Sequence, residues 1–424
     1  LSRIKEEKGS WDLVIIGGGA SGLGVALDAL SRGLKVLLLE KSDFAKGTSS
    51  RSTKLVHGGV RYLAQGEVGL VFEALRERGR LLKNAPHLTI NQPFVIPLYT
   101  FFDRLKYGLG LKIYDWMAGS LRLGKSKFVS KEETIERLPQ IKQKGLKGGI
   151  LYHDGQFDDA RLALAIAKTC IEMGGCILNY ARVNKLTKDD SGTVNGLVFR
   201  DLIGKTNYRV SSQSVVNATG VFADKILQMD NPEARKMIQP SQGIHLVIDS
   251  SFLGGEDALM IPETSDGRVL FAVPWEGKLV VGTTDTLVKK PKMEPRPLAS
   301  EINFILETAK NYLIKPPKRS DVLSVFAGLR PLAAPEEGST KTKEISRSHK
   351  VIVSKSKLIT ITGGKWTTFR KMGEDTVDAH FKNHGLSKIE STSEDMRLHG
   401  YSIETINGHL RLYGADASSV LDLQ

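Results

Sequence analysis

The sequence predicts an α/β fold, α+β overall, on three observations. Near the N-terminus an apolar run leads into Gly17, Gly19 and Gly22 in GxGxxG spacing, then into a helix-periodic segment and a second apolar run ending at Glu40. Between Gln239 and Thr286 ("GIHLVID", "GRVLFAVPWEGKLVVGTTDT") apolar residues alternate or run in short lengths broken by Gly and Pro, as in an antiparallel sheet. From Leu358 a last strand turns at Gly363 and Gly364 into a helix beginning near Trp366. A Rossmann-like domain and a domain on an antiparallel sheet are therefore expected, and a new helical region read from about Ser402 adds the start of a C-terminal helical domain.

Composition bounds the rest. The 424 residues are enough for two or three domains with a large core, and the hydrophobic fraction of 41% and charged fraction of 25% are those of a soluble globular protein. The formal charge of +13, from 60 Lys and Arg against 47 Asp and Glu, favours something anionic as partner: nucleic acid, an acidic membrane surface or a phosphorylated substrate. The longest uncharged run near the N-terminus, Leu13 to Leu27, has fifteen residues of which five are glycine, too short and too broken to span a bilayer. Membrane contact would thus be peripheral. No signal peptide is read, and a chain beginning at Leu1 is expected to be trimmed, tagged or unobserved at its N-terminus. Cys170 and Cys176 match neither a CxxC redox pair nor a zinc spacing, so ordinary thiols in a reducing compartment are expected, and no metal site.

The first unit, "WDLVIIGGGASGLGVALDALSRGLKVLLLEK", reads as a strand over Leu13–Ile16, a helix over Leu23–Leu30 closed by Gly33, and a strand over Val36–Leu39. Its glycines let the backbone approach a pyrophosphate at a helix N-terminus, and Glu40 is placed to accept hydrogen bonds from an adenosine ribose. The following "KSDFAKGTSSRSTKL" offers hydroxyls and amides to a second phosphate face, a covering loop more typical of an extended FAD than of NAD. The redox cysteine pair of flavin-disulfide reductases is absent from it. "DGQFDDARLALAIAKTCIEMGGCILNYARV" reads as a helix with Asp158 or Asp159 near its start and Gly174 at its stop, then a strand over Cys176–Val183. Strands over Val194–Asp201 and Tyr208–Val216 follow, the second ending in the small turn Asn217–Gly220, the shape needed where a strand returns beneath a cofactor. "FVIPLYTFFDRLKYGLGLKIYDWMAG" mixes aromatics with Arg104, Lys106 and Lys112, and suits either a lipid headgroup layer or a core helix pair. The Gly363–Gly364 pair at a helix start is a second place where amides could face the cofactor.

Six motifs in order over residues 12–370, "DLVIIGGGASGLGVALDA", "GTSSRSTKLVHGGVRYL", "GIHLVI", "GTTDT", "FAGLRPL" and "ITGGKWTTFR", resemble the FAD-dependent glycerol-3-phosphate dehydrogenases, of the glycine and D-amino-acid oxidase class of flavoproteins. The resemblance implies FAD, oxidation of sn-glycerol 3-phosphate to dihydroxyacetone phosphate, and electron delivery to a membrane quinone. It also implies a cytoplasmic homodimer attached peripherally to the anionic lipid of the inner face of the cytoplasmic membrane, with no nucleic-acid partner. The expected division is a discontinuous FAD-binding domain (11–90, 154–238 and 322–385), a substrate-binding domain (91–153 and 239–321) and a truncated helical region (386–424), since family members continue into a full helical domain. The compact interval from Arg330 to Lys365 favours a dehydrogenase over the oxygen-using glycerophosphate oxidases.

The implied reaction needs a base near the substrate hydroxyl and cations around its phosphate. His57 suits the base, with His245 an alternative base or substrate ligand. Arg61 and Arg330 suit the phosphate, because a guanidinium matches its oxygens in a bidentate fork. Tyr62 could donate to the phosphate or sit in the core. Lys365 could offset negative charge on reduced flavin or reach the phosphate. The expected cofactor-binding set is Gly17, Gly19, Gly22, Glu40, Lys41, Thr48, Ser49, Ser50, Ser52, Val183, Ala218, Thr219, Gly220, Gly363, Gly364 and Lys365, with Ser49, Ser50 and Ser52 along the FAD phosphates. Thr283, Thr284 and Asp285 are expected to shape a turn. Two other readings stay open. An amine or amino-acid oxidase of the same fold predicts a carboxylate-binding arginine with less need of several cations. A basic FAD-containing RNA-binding protein would explain the charge, but the basic residues are dispersed rather than in a dense tract.

Overall fold

The computed structural model describes residues 1–6, 9–63, 66–334, 348–404, 406 and 408–423, except the side chains of Lys5, Glu6, Arg61 and His409. Residues 335–347 of the Arg330–Lys365 interval lie outside the described residues.

The apolar run at the start forms the strand Trp11–Ile16, and it is buried on both faces. Leu13 and Ile15 point to one side, into a cluster with the helices Ala20–Ser31, Asp159–Glu172 and Phe369–Asn383. Val14 and Ile16 point to the other, against Leu186, Leu197 and Phe199 of a strand pair. Alternation of side chains along a strand makes both faces apolar, which is why the sequence reads as a continuous hydrophobic run. The strand pairs in parallel with Val36–Leu39 and with Asn207–Asn217, and the latter continues in parallel to Ile359–Thr362. Cys176–Leu178 closes the far edge. The Ala20–Ser31 and Phe369–Asn383 helices cross at backbone contact: a Cβ on Gly24 would lie 2.3 Å from the Phe369 carbonyl oxygen, and one on Gly373 would lie 2.2 Å from that of Gly24.

The second sheet has ten strands among the described residues, and its long members are Thr89–Leu98, Gly148–Phe157, Ile238–Asp249 and Ser324–Ala333. The alternating segments after Gln239 form its antiparallel half, as their period predicts. Two boundaries differ from the sequence reading. The strand expected over Cys176–Val183 is broken into Cys176–Leu178 and Ala181–Lys188, because Tyr180 takes φ +52° and turns the chain. Ser324–Ala333 pairs along its length with Ile238–Asp249, so this stretch belongs to the second sheet although it falls within the expected FAD-binding segment 322–385.

The aromatic and basic segment starts in the strand Thr89–Leu98 and continues as one helix, Phe101–Ala118, capped by Thr100, whose hydroxyl accepts the Asp103 amide. Leu111, Tyr114 and Met117 pack inward, whereas Phe101, Phe102, Leu105, Leu109 and Trp116 stand exposed. No described helix is long and apolar enough to cross a membrane. Cys170 and Cys176 are both buried and free.

Candidate active site

One cavity of about 760 Å³ runs from the GxGxxG turn to the loops of the second sheet, a size ordinary for a small-molecule site. At its first end the Trp11–Ile16 strand passes through Gly17–Gly19 directly into the Ala20–Ser31 helix, so the orphan amides of a helix start are delivered to the cavity. Gly17 takes φ +113°, and a Cβ there would lie 2.6 Å from the Ala218 carbonyl oxygen. The glycine turn and the Ala218–Gly220 turn therefore meet backbone to backbone. Gly22 does not line the cavity but lets the helix approach, since a Cβ on it would lie 1.9 Å from the Gly17 carbonyl oxygen. Glu40 is fixed by two amides, the Gly18 N–H on Oε2 and the Ser42 N–H on Oε1, both at 2.7 Å. A carboxylate has about four acceptor sites, so it can still take a hydroxyl.

The turn Thr48–Ser50 is pinned over the helix start. Ser49 Oγ accepts the Ala20 N–H at 2.9 Å, Trp366 Nε1–H donates to the Ser49 carbonyl at 2.7 Å, and the Thr48 hydroxyl donates to the Leu329 carbonyl at 2.5 Å. Lys41, Thr48, Ser49, Val183, Ala218, Thr219 and Gly220 all line this end, whereas Ser50 does not. Ser52 lines the wall with its hydroxyl engaged elsewhere: it donates to the buried Asp159 Oδ2 at 2.7 Å, and Lys54 Nζ lies 2.5 Å from Oδ1 of the same carboxylate. Its role is thus to tie the loop to the start of the Asp159–Glu172 helix, where a negative charge suits the helix dipole.

At the far end the strand Leu55–Val56 joins the edge of the second sheet and hands the chain to His57. The His57 amide donates to Thr367 Oγ1 at 3.2 Å, and its ring stands 6.2 Å from that of Phe271 across the cavity wall. Lys365 follows Gly363 and Gly364, both at φ +74°, and its Nζ lies 3.8 Å from the Tyr62 ring centroid, a cation–π contact. Tyr62 is half-buried, lining the cavity while its other side packs on the inner cluster around Leu55 and Val71. Arg330 is held by the turn opposite: Nη1 donates to the Thr284 carbonyl and Nη2 to Thr283 Oγ1, each at 3.0 Å, with Asp285 Oδ1 at 3.5 Å. The "GTTDT" segment thus aims an arginine as well as shaping a turn. Gly243 leaves room beneath it, because a Cβ there would lie 2.5 Å from Arg330 Nη2 and displace the guanidinium.

His245 is a different kind of histidine. It is 2% exposed, its Nε2 sits 2.8 Å from Thr53 Oγ1, and its ring stacks on Phe326 at 4.8 Å. Burial, then the nearby charges of Arg330 and Lys54, push its pKa down to about 3, so it is neutral throughout the physiological range. Arg61 lies in the short Val60–Leu63 helix, and its side chain is outside the described residues.

Several wall residues escaped the sequence reading. Thr53 and Thr367 stood inside motifs already quoted, and their hydroxyls contacting His245 and the His57 loop follow from the fold. Arg268 and Phe271 stood in a stretch read only as strand; Arg268 is tied to Asp266 through Nε at 2.6 Å and lies over the Phe304 ring at 5.0 Å.

The wall suits an extended FAD: helix-start amides and the Thr48–Ser50 turn for phosphates, a fixed carboxylate for a ribose, and a left-handed glycine pair with a lysine at the opposite end. The family model described as FAD dependent oxidoreductase matches residues 12–369. Over 422 residues the chain is 41% identical to the mitochondrial glycerol-3-phosphate dehydrogenase of Schizosaccharomyces pombe, covering 94% of this chain and 65% of that protein. It is 43% identical over 404 residues to that of Homo sapiens, covering 92% and 55%. Among solved structures, the glycerol-3-phosphate dehydrogenase from Bacillus halodurans complexed with FAD superposes with a TM-score of 0.76 at 34% identity, covering 93% of this chain and 69% of that one. The chain spans about half to two thirds of the length of the curated relatives it matches. The chain belongs to the FAD dependent oxidoreductase family, whose cofactor this cavity fits in size and lining.

Proposed function

We propose that the protein oxidises sn-glycerol 3-phosphate to dihydroxyacetone phosphate and delivers the electrons to a membrane quinone. The observation that carries this reading is that His57, Arg330 and Lys365 line one cavity, bordered also by Arg268, whose guanidinium is paired with Asp266. A phosphorylated alcohol needs this pairing of cations with a base.

Bound FAD supplies the two-electron acceptor. His57 takes the hydroxyl proton as the carbinol C–H is oxidised. Arg330, held by Thr283 and Thr284, meets the phosphate as a planar fork, and Lys365 adds a second positive charge beside Tyr62. Arg61, four residues after His57 in the sequence, is assigned to the same phosphate. His245, neutral and bonded to Thr53, orients that wall and takes no proton. Gly17, Gly19, Glu40, Thr48, Ser49 and the Ala218–Gly220 turn hold the dinucleotide.

The exposed apolar face of the Phe101–Ala118 helix, with Arg104, Lys106 and Lys112 beside it, supports peripheral attachment to anionic lipid. We place the protein at the inner face of a cytoplasmic membrane; the curated relatives named above carry "mitochondrial" in their names.

The test is anaerobic bleaching of the bound flavin. Glycerol 3-phosphate should bleach it, while glycine, sarcosine and D-amino acids should not, and bleaching by the amines alone would sink the substrate assignment. Reoxidation of the bleached protein should be fast with a quinone analogue and slow with oxygen. The reverse order would make it a glycerophosphate oxidase.

A further inference from the structure

Gly58, next to His57, is fixed from outside the cavity by a side chain of the Phe101–Ala118 helix. Its N–H donates to the Tyr114 hydroxyl oxygen at 2.8 Å. The Tyr114 O–H donates in turn to Asp154 at 2.7 Å, and Arg78 Nη1 donates to the same carboxylate at 2.7 Å. Tyr114 and Arg78 are 1% exposed and Asp154 is 3% exposed. Packing is equally close: a Cβ on Gly58 would lie 2.7 Å from Tyr114 Cε2 and 2.6 Å from Leu75 Cδ2. Three elements therefore converge on one amide, the helix carrying Tyr114, the helix Val68–Asn84 carrying Arg78, and the strand Gly148–Phe157 carrying Asp154, which also pairs with Leu55–Val56.

Stability alone is a poor account of this arrangement, because a buried ion pair loses to desolvation much of what it gains and is often replaceable by apolar packing. What apolar packing could not supply is an oriented acceptor for the Gly58 amide, one residue from the group assigned as base. We propose that Tyr114 is a positioning residue: its hydroxyl, oriented by Asp154 and Arg78, fixes the Gly58 amide and so aims His57 at the substrate. This rests on the reading of His57 as base given above.

Tyr114→Phe removes the hydroxyl and keeps the ring under Gly58. In anaerobic stopped-flow reduction by glycerol 3-phosphate, Y114F should reduce its flavin about tenfold more slowly with little change in KM and full flavin content, as expected for one lost hydrogen bond. In a His57→Ala background the same substitution should cost almost nothing, since its effect passes through His57. A wild-type rate in Y114F, or equal slowing in both backgrounds, overturns the proposal. If Y114F does not fold, Asp154→Asn, which keeps the shape and weakens the acceptor, is read in the same cycle. If the unaltered protein is not bleached by glycerol 3-phosphate, the substrate reading fails, and hydrogen exchange in the FAD-loaded protein decides about Tyr114 separately. The Gly58 amide should then exchange about tenfold faster in Y114F, and unchanged exchange overturns the proposal.

Discussion

His57 and His245 share a cavity but differ in what surrounds them. His57 lines the wall from a glycine-rich loop, whereas His245 is shut in by Phe326, Thr53 and two nearby cations. If His57 is the base, His57→Ala should lower kcat by about a hundredfold or more and leave KM nearly unchanged. Arg330→Ala should mainly raise KM, by about tenfold or more, because it removes phosphate binding common to ground and transition states. An exchange of these two patterns in steady-state kinetics would reverse the roles. His245 has a consequence for stability. Its folded pKa of about 3 lies below the ordinary 6.5, so between these values the unfolded chain binds a proton that the folded protein does not. Stability is therefore present above about pH 6.5 and is lost as the pH falls, by up to about 1.4 kcal/mol per pH unit per such histidine. His87 and His380, each pushed down to about 4 by burial, act in the same direction. The thermal midpoint should drop steeply below pH 6, and His380→Asn should flatten that slope.

At the scale of elements, the nucleotide unit was legible because its signals are local. Val36–Leu39 and Val194–Asp201 fall where apolar runs and alternation put them, and the helix Asp159–Glu172 is capped by Asp158, whose side chain accepts the Arg161 amide. What was not legible depended on distant partners. Nothing local says that Ser324–Ala333 pairs with Ile238–Asp249, or that Ser52 finds Asp159. The crossing of the Ala20–Ser31 and Phe369–Asn383 helices is another such case, since Gly24 and Gly373 read as ordinary helix glycines. Either changed to Ala would force a Cβ into a backbone oxygen, so each should destabilise by about 1–3 kcal/mol in urea titration, against near neutrality for Gly69→Ala, which has open space around it.

For the whole molecule, the positive balance and the exposed helix face act together. Anionic vesicles should bind the protein, with affinity that falls as salt rises, and neutral vesicles should bind it far less. Replacing Phe102 and Trp116 by Ser should weaken sedimentation with vesicles by about tenfold or more while leaving flavin content unchanged, because these side chains are exposed and touch no part of the site. Salt-sensitive tRNA binding equal to the vesicle binding would favour the nucleic-acid reading of the charge instead.

The sequence by itself determined the first strand–helix–strand unit, because its glycine spacing, helix start and Glu40 lie within one short stretch whose geometry is set by short-range sterics. It also placed His57, Arg330 and Lys365 in motifs that the fold gathers on one cavity. Only the tertiary structure decided how they are held: Arg330 by the Thr283–Thr284 turn, the His57 loop by Thr367 and Tyr114, His245 by a buried wall that keeps it neutral. Those contacts join residues tens to hundreds of positions apart, and burial and hydrogen-bond partners are properties of the packed chain, not of any stretch of it.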